Sequence, residues 1–158
     1  MQLVLFLLFM MLAIVSARAA MRSAVRPRGY LSGGSRSLSM SNGVKNMNVK
    51  QFNDVLKSDA RNIYQIIDVR EKDELEIAAI KGNDIMNLAL QDAGSWSPKI
   101  ENGTLLDNSK PTIVLCHHGS RSMRVAQFLV NKGFNEVYNV DGGIHQFSVQ
   151  VDPSINQY

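Results

Sequence analysis

The sequence predicts an α/β domain in which helices cover both faces of a parallel β-sheet. Two observations lead to this fold class. Short runs of apolar and β-branched residues alternate along the chain with segments of helical periodicity, which is the order expected of βαβ units. One of these runs, residues 113–115, is apolar at every position, as expected for a strand that is buried on both faces.

In the first half of the domain, the pattern predicts two helices and two strands. Residues 49–57 place apolar side chains at helical spacing, and residues 71–80 begin with acidic groups that a helix N-terminus favours. Residues 63–68 are rich in β-branched side chains, which is typical of a strand, and residues 85–88 are a shorter candidate. Residues 91–104 contain glycines, a proline and an Asn-Gly pair, so a mixed segment with turns is expected there.

The second half of the domain contains the segment with the most distinctive chemistry. Residues 113–115 are followed by Cys116 and then by a predicted helix over residues 121–132, which ends at a glycine. The last strand is predicted at residues 136–140, and a short final helix near residues 144–147. Ligands of parallel α/β sheets bind at the carboxyl ends of the strands. The position directly after the buried strand is therefore the first place to expect a functional group.

Cys116 is the single cysteine of the sequence, and it lies on the predicted loop between a strand and a helix. Backbone N–H groups at a helix N-terminus are unpaired, and the helix dipole favours negative charge there. Arg121 and Arg124 add positive charge nearby. These surroundings are typical of a reactive thiolate. One cysteine excludes both an intrachain disulfide and a zinc site built on cysteine pairs.

The net charge of +3 is unevenly distributed along the chain. All 14 acidic residues lie at or beyond Asp54, and residues 1–53 carry seven of the 17 basic residues. The domain itself is therefore acidic, and its sequence has no basic stretch interleaved with aromatic residues of the kind that binds nucleic acid. No nucleic-acid partner is expected.

Residues 1–45 are predicted to be a cleaved targeting extension. Residues 3–15 are apolar but too short to span a bilayer, which takes about 20 residues, and their length suits the core of a signal peptide. Residues 21–47 are rich in Arg, Ser and Gly and contain no acid, which is typical of a transit peptide. The two segments in series resemble the bipartite address of a plastid bounded by extra membranes. A secreted or endomembrane location, a mitochondrial one and a membrane-tethered form are the alternatives; the mature plastid form is expected to have no membrane span.

Several stretches of the domain, in the right order, resemble the single-domain rhodaneses, which are sulfurtransferases. The stretches are Ile67-Asp68-Val69-Arg70-Glu71, Cys116-His117-His118-Gly119-Ser120-Arg121-Ser122, Val125-Ala126 through Gly133-Phe134, and Val137-Tyr138-Asn139-Val140-Asp141-Gly142-Gly143-Ile144. The resemblance implies a three-layer fold around a five-stranded parallel sheet. It places the domain at residues 46–150, followed by a C-terminal tail over residues 151–158.

The resemblance also implies a site and an activity. Cys116 would take a sulfane sulfur from thiosulfate or another donor, carry it as a persulfide, and pass it to cyanide or a thiol. Asp68 and Arg70 are candidates for substrate binding or for supporting the site. No cofactor and no metal are implied. The candidate active-site loop consists of His117, His118, Gly119, Ser120, Arg121 and Ser122.

Physical chemistry suggests a role for several of these loop residues. Successive amides after Cys116 can form a nest around an anionic sulfur, and Gly119 permits a tight or left-handed turn. Arg121 could hold the loop closed or bind an anionic donor. Ser122 could cap the helix or donate a hydrogen bond to the sulfur.

Other functions are compatible with a loop cysteine of this kind. A phosphatase or arsenate reductase is one alternative, although the four residues between Cys116 and Arg121 make a loop shorter than that of the related phosphatases. A second is a module that delivers sulfur to a protein partner or docks on one. A third is a redox sensor in which Cys116 is oxidised by peroxide.

Overall fold

The computed structural model describes residues 43–158 and contains a single five-stranded sheet. Its strands are β1 (Lys45–Met47), β2 (Gln65–Asp68), β3 (Met86–Asn87), β4 (Thr112–Leu115) and β5 (Val137–Val140). The order across the sheet is β1-β5-β4-β2-β3, and every neighbouring pair is parallel. Residues 1–42 lie outside the described part, and nearly all of the predicted targeting extension falls within them.

Five α-helices connect or follow these strands. They are α1 (Val49–Lys57), α2 (Lys72–Ile77), α3 (Ala93–Glu101), α4 (Ser120–Asn131) and α5 (Gly143–Gln150), with short 3-10 helices at Asp59–Ile63 and Leu90–Asp92. Within residues 43–158, none of the helices combines the length and the apolar character that crossing a membrane requires.

The central strand β4 is buried on both faces, and its side chains alternate between two apolar layers. Ile113 belongs to the layer that contains Phe52 of α1, whereas Val114 belongs to the layer that contains Trp96 of α3 and Leu129 of α4. All four β4 residues are buried, as the continuous apolar run predicts. The predicted three-layer α/β fold is therefore confirmed.

The largest departure from the sequence prediction is helix α3. Residues 91–104 carry turn-forming residues, yet most of them are helical, with Pro98 inside the helix. Proline lacks the N–H that an inner helical turn needs, so intrinsic preference opposes this helix. Burial of Trp96 and Ile100 in the core favours it. Here tertiary packing overrides local preference.

Several element boundaries also differ from the prediction. Residue Ile63 ends a 3-10 helix, so the second strand begins only at Gln65. The predicted helix over residues 71–80 ends at Ile77. Strand β1 is not apparent in the sequence, because its three residues are extended mainly through pairing with β5.

Candidate active site

Cys116 is the residue that directly follows β4, and it lies at the carboxyl edge of the sheet. Its side chain is fully buried. The Sγ atom accepts a hydrogen bond from the Gly119 N–H at 3.1 Å and one from the Ser122 hydroxyl at 3.2 Å. Both donors belong to the loop or to the first turn of α4. The sulfur is therefore held by groups that stabilise negative charge.

Ser122 links this sulfur to the last strand. Its Oγ atom lies 2.6 Å from Oδ1 of Asn139, whose Nδ2 atom donates to Oδ1 of Asn46 at 3.3 Å. A hydroxyl carries a single proton, so Ser122 can donate either to the sulfur or to the Asn139 oxygen. If Ser122 donates to a thiolate at Cys116, the Asn139 amide must turn its NH₂ group toward Ser122, which gives up the contact of Nδ2 with Asn46.

Gly119 permits the tight turn that brings its own amide to the sulfur. Its φ is +94°, in the left-handed region that side chains disfavour. A Cβ atom there would lie 3.1 Å from the Gly142 nitrogen and 3.3 Å from the Val140 oxygen. The residue therefore meets both conditions for a glycine: an unusual backbone angle and a close approach of neighbouring backbone.

The start of α5 docks against the outer side of the same loop. The Ile144 N–H donates to the Cys116 carbonyl at 2.9 Å, and the His145 N–H donates to the His117 carbonyl at 3.1 Å. This approach depends on Gly143, where a Cβ atom would lie 2.3 Å from the His117 oxygen and 2.4 Å from the Cys116 oxygen. The unpaired amides at the start of α5 thus satisfy the loop carbonyls and fix the backbone that carries the thiol.

Asp68, the last residue of β2, forms a buried ion pair with Arg70. Nη2 of Arg70 lies 2.7 Å from Oδ2 of Asp68, and the arginine is only 1% exposed. Its Nη1 atom donates to the Ala78 carbonyl and to the Tyr158 hydroxyl, each at 2.9 Å. The guanidinium is therefore occupied by groups of the protein itself. This arrangement favours a supporting role for the pair over direct substrate binding.

Arg121 makes a two-pronged ion pair with Glu74 of α2. Its Nη1 and Nη2 atoms donate to the two carboxylate oxygens of Glu74 at 2.6 and 2.5 Å. Hydrogen bonding from Arg121 lowers the pKa of Glu74 to about 2, and the same contact raises the pKa of Arg121. Arg121 thereby ties the start of α4 to α2.

This ion pair gives a prediction about acid stability. A carboxylate with a lowered pKa stabilises the folded state above its ordinary pKa, and that stability is lost as the pH falls from about 4.5 through about 2. We expect Glu74→Gln to reduce the free energy of unfolding at pH 7 by about 1–2 kcal/mol, since the pair is partly solvated. The difference from wild type should shrink steadily as the medium is acidified.

Urea unfolding of both proteins between pH 7 and pH 2.5 measures this difference. Glu76→Gln is the matched control, because Glu76 is exposed on the same helix. The control should unfold like the wild type at every pH. A Glu74→Gln penalty that is the same at pH 7 and at pH 3 would contradict the ion-pair interpretation.

The His117 ring is stacked between two other rings. Its centroid lies 3.8 Å from that of His118 and 4.0 Å from that of Tyr158. Burial, followed by the neighbouring charge of His118, lowers the pKa of His117. A neutral His117 imidazole is therefore favoured over the charged form at neutral pH.

Three histidines are the described residues that come closest to a metal site. The ligand atoms of His117, His118 and His145 all lie within 4.8 Å of one another, and Nε2 of His117 and Nδ1 of His145 are buried without a hydrogen-bond partner among residues 43–158. Tetrahedral zinc with bonds of about 2.0–2.1 Å needs its ligands roughly 3.3 Å apart. The stacked rings of His117 and His118, only 28° apart in plane, do not aim their lone pairs at one point. Binding a metal here would require rotating at least one ring.

The structure brings most of the predicted site residues together around the sulfur or its supporting contacts. Ser120 and His118 are exposed on the outer side of the loop. Four further residues contribute that the sequence interpretation had not assigned to the site: Glu74, Asn139, Gly143 and Tyr158. The sequence signals for these residues are weak. Glu74 is one of several acids near a predicted helix start, and Gly143 is part of a predicted turn.

Comparisons with known proteins show what the domain is similar to. The family model described as rhodanese-like domain matches residues 49–150. The chloroplastic rhodanese-like/PpiC domain-containing protein 12 of Arabidopsis thaliana is 47% identical over 94 residues, which are 60% of this chain and 30% of that protein. Thiosulfate sulfurtransferase GlpE of Vibrio cholerae is 32% identical over 92 residues, 56% of this chain and 79% of that protein.

A solved structure shows the same fold. The rhodanese-like domain protein of Staphylococcus aureus superimposes with a TM-score of 0.54 at 22% identity, covering 73% of this chain and 99% of that one. At this identity the likeness concerns the fold alone. The described chain thus carries one domain of the matched kind, and it spans less than a third of the Arabidopsis protein.

Proposed function

The chain belongs to the rhodanese-like domain family, and from that premise we propose that it is a sulfurtransferase whose nucleophile is Cys116. The observation that carries the proposal is the placement of a buried thiol at the end of β4, with the Gly119 amide and the Ser122 hydroxyl directed at its sulfur. Relatives of the chain include proteins named as thiosulfate sulfurtransferases.

The first half of the proposed reaction loads sulfur onto Cys116. The thiolate attacks the outer, sulfane sulfur of thiosulfate, and a new S–S bond forms as the S–S bond of the donor breaks. The electron pair of the broken bond leaves with sulfite. The product is a cysteine persulfide whose terminal sulfur carries the negative charge. No external oxidant or reductant is needed, because the donor supplies sulfur already at the sulfane oxidation level.

The second half of the reaction removes that sulfur. Cyanide or a thiolate attacks the terminal sulfur, the persulfide S–S bond breaks, and the Cys116 thiolate is regenerated. With cyanide the product is thiocyanate. The acceptor attacks the terminal sulfur because that is the atom transferred, with the Cys116 thiolate as the leaving group. This sulfur extends about 2 Å beyond the fully buried Sγ. The acceptor therefore does not have to reach the cysteine itself.

The surroundings of the loop support both halves of this reaction. The Gly119 amide and the Ser122 hydroxyl stabilise the Cys116 thiolate that attacks the donor and that is regenerated when the sulfur leaves, which is electrostatic stabilisation by fixed donors. Arg121 is bound to Glu74, so it positions the loop and does not present a free guanidinium to the donor. The anchoring of α5 at Gly143 keeps the loop backbone in place.

Intact-mass spectrometry tests the proposal directly. The purified protein is treated with thiosulfate, desalted and weighed, and then exposed to cyanide. We expect a gain of one sulfur atom per chain, its loss on cyanide addition, and an equivalent amount of thiocyanate. Failure to load any sulfur from thiosulfate, while the thiol still reacts readily with iodoacetamide, would contradict thiosulfate as the donor.

Two alternative functions make different predictions in the same assays. An oxyanion enzyme of the phosphatase or arsenate reductase kind would hydrolyse aryl phosphates or reduce arsenate through Cys116; engagement of both Arg121 terminal nitrogens by Glu74 argues against it. A module that serves a protein partner would load sulfur but pass it poorly to small thiols such as glutathione. Transfer to small thiols at useful rates supports the general sulfurtransferase.

We also propose that the protein is a plastid protein, with residues 1–45 as its address. The composition of the extension supports this location, and so does the chloroplastic name of the Arabidopsis relative. Fusing residues 1–48 to a fluorescent reporter tests the address in cells with plastids. Reporter in the plastid supports the proposal, whereas export of the reporter or its accumulation in mitochondria contradicts it.

A further inference from the structure

Tyr158 contacts the Cys116 loop from outside the matched domain, and its contacts join parts of the site that are otherwise separate. Its ring stacks on His117 with the two planes only 11° apart and the centroids at 4.0 Å. Its hydroxyl accepts from Nη1 of Arg70 at 2.9 Å and donates to Oε1 of Glu74 at 3.0 Å. We propose that Tyr158 is a positioning residue of the sulfur-transfer loop, an inference that rests on the proposed function.

The hydroxyl group connects two ion pairs. Arg70 belongs to the buried pair with Asp68, and Glu74 belongs to the pair with Arg121. A phenolic oxygen has one proton to donate and lone pairs to accept with, so the two contacts use it in both senses. Tyr158 thereby fixes the carboxylate of Glu74, which in turn holds Arg121. Arg121 lies five residues after Cys116 in the sequence.

The ring acts on the loop at a second point. His117 directly follows Cys116, and its imidazole is stacked between Tyr158 on one side and His118 on the other. Stacked aromatic rings attract each other beyond the effect of burial alone. Removing one of the two flanking rings would free the His117 side chain, whose backbone carbonyl is held by α5. The ring and the hydroxyl therefore restrain opposite ends of the same loop.

The segment that precedes Tyr158 is anchored along its length, so the position of the ring is built into the fold. Ile155 is buried in the layer that contains Phe147 of α5. Nδ2 of Asn156 donates to the Ile77 carbonyl at the end of α2, at 3.1 Å. Residues 151–158, expected from the sequence to be a tail, thus pack against two helices that border the site.

Two substitutions separate the contributions of ring and hydroxyl. Tyr158→Phe keeps the stacked ring and removes both hydrogen bonds, so we expect the rate of persulfide formation at saturating thiosulfate to fall about 3- to 10-fold. Tyr158→Leu removes the ring as well, and we expect a fall of about 10- to 100-fold. The thiosulfate concentration for half-saturation should change less than the maximal rate, because the residue orients the loop without touching the donor.

Tyr138→Phe is the matched control, since the hydroxyl of Tyr138 also binds a carboxylate, that of Glu136, on a different part of the sheet. It makes the same chemical change and should load sulfur like the wild type. The NMR chemical shifts of the His117 ring protons report on the stacked Tyr158 ring. A change of packing elsewhere in the protein should not alter them. These resonances should shift in Tyr158→Leu, shift little in Tyr158→Phe, and stay unchanged in the control.

Alkylation of Cys116 by iodoacetamide needs no sulfur donor. It therefore tests the positioning role of Tyr158 separately from the proposed sulfur transfer. If the wild type fails to load sulfur from thiosulfate but Tyr158→Leu changes the alkylation rate at least threefold and shifts the His117 resonances, the proposed transfer from thiosulfate fails and the positioning role stands. The positioning role is wrong if the Tyr158→Leu protein matches the wild type in three measurements: the alkylation rate of Cys116, the rate of sulfur loading and the His117 ring-proton resonances.

Discussion

Replacing Cys116 with serine is expected to abolish sulfur loading, with the rate of persulfide formation falling by at least about 1000-fold. The hydroxyl of serine is far less acidic than a thiol and cannot form a persulfide. The substitution is nearly isosteric, so the two loop donors, Gly119 and Ser122, retain an acceptor between them. The fold should therefore persist while the chemistry disappears, and intact mass after thiosulfate treatment measures the loss.

Two controls make this result specific. Wild-type protein that has first been alkylated at Cys116 should also fail to gain sulfur, which links the effect to the thiol and not to an altered loop. Thermal unfolding of Cys116→Ser should stay close to that of the wild type. A serine variant that still gains one sulfur atom and releases it to cyanide would disprove the assignment of the nucleophile.

Replacing Gly143 with alanine is expected to damage both stability and function. The added Cβ atom would lie 2.3 Å from the His117 oxygen and 2.4 Å from the Cys116 oxygen, and both atoms belong to backbone that cannot turn aside. Overpacking of this kind, together with a left-handed φ of +58°, costs about 2–4 kcal/mol. Because the loop must shift to make room, we expect sulfur loading to fall by more than about 10-fold.

Gly82→Ala is the matched control for this experiment. Gly82 has a similar left-handed φ of +75°, but a Cβ atom there would meet nothing within 4 Å. It should cost only about 1 kcal/mol and leave sulfur loading unchanged. Urea unfolding and the loading rate are measured on both variants. Equal effects of the two substitutions would show that backbone strain, and not the collision with the loop, accounts for the loss at Gly143.

These two predictions address different levels of the same site. Cys116→Ser tests the proposed reacting atom, the Cys116 sulfur. Gly143→Ala tests the backbone contacts that hold the loop carrying this sulfur. The structure links the levels through hydrogen bonds from the start of α5 to the carbonyls of Cys116 and His117. A thiol on a strand-to-helix loop is therefore only part of the site, because a neighbouring helix that is distant in the sequence holds that loop from outside.

Much of the fold could be predicted because its signals are local. The run before Cys116 is apolar at every position, and a strand buried on both faces requires a sheet covered on both sides. Helix α3 could not be predicted in this way, since Pro98 and nearby glycines oppose a helix and the burial of Trp96 favours it. Strand β1 was missed for a related reason, because its pairing partner β5 lies about ninety residues away.

For the candidate site, too, the features with local signals could be predicted and the long-range contacts could not. The sequence by itself determined the candidate nucleophile, Cys116, and the segment that carries it, because a lone cysteine between a buried strand and a helix is recognisable from adjacent residues. Only the tertiary structure decided the supporting contacts: Arg121 with Glu74, Ser122 with Asn139, and His117 with Tyr158. Each of these pairs joins residues that are far apart in the chain. Side-chain pairing of this kind depends on how the helices pack against the sheet, and no local pattern of residue types specifies it.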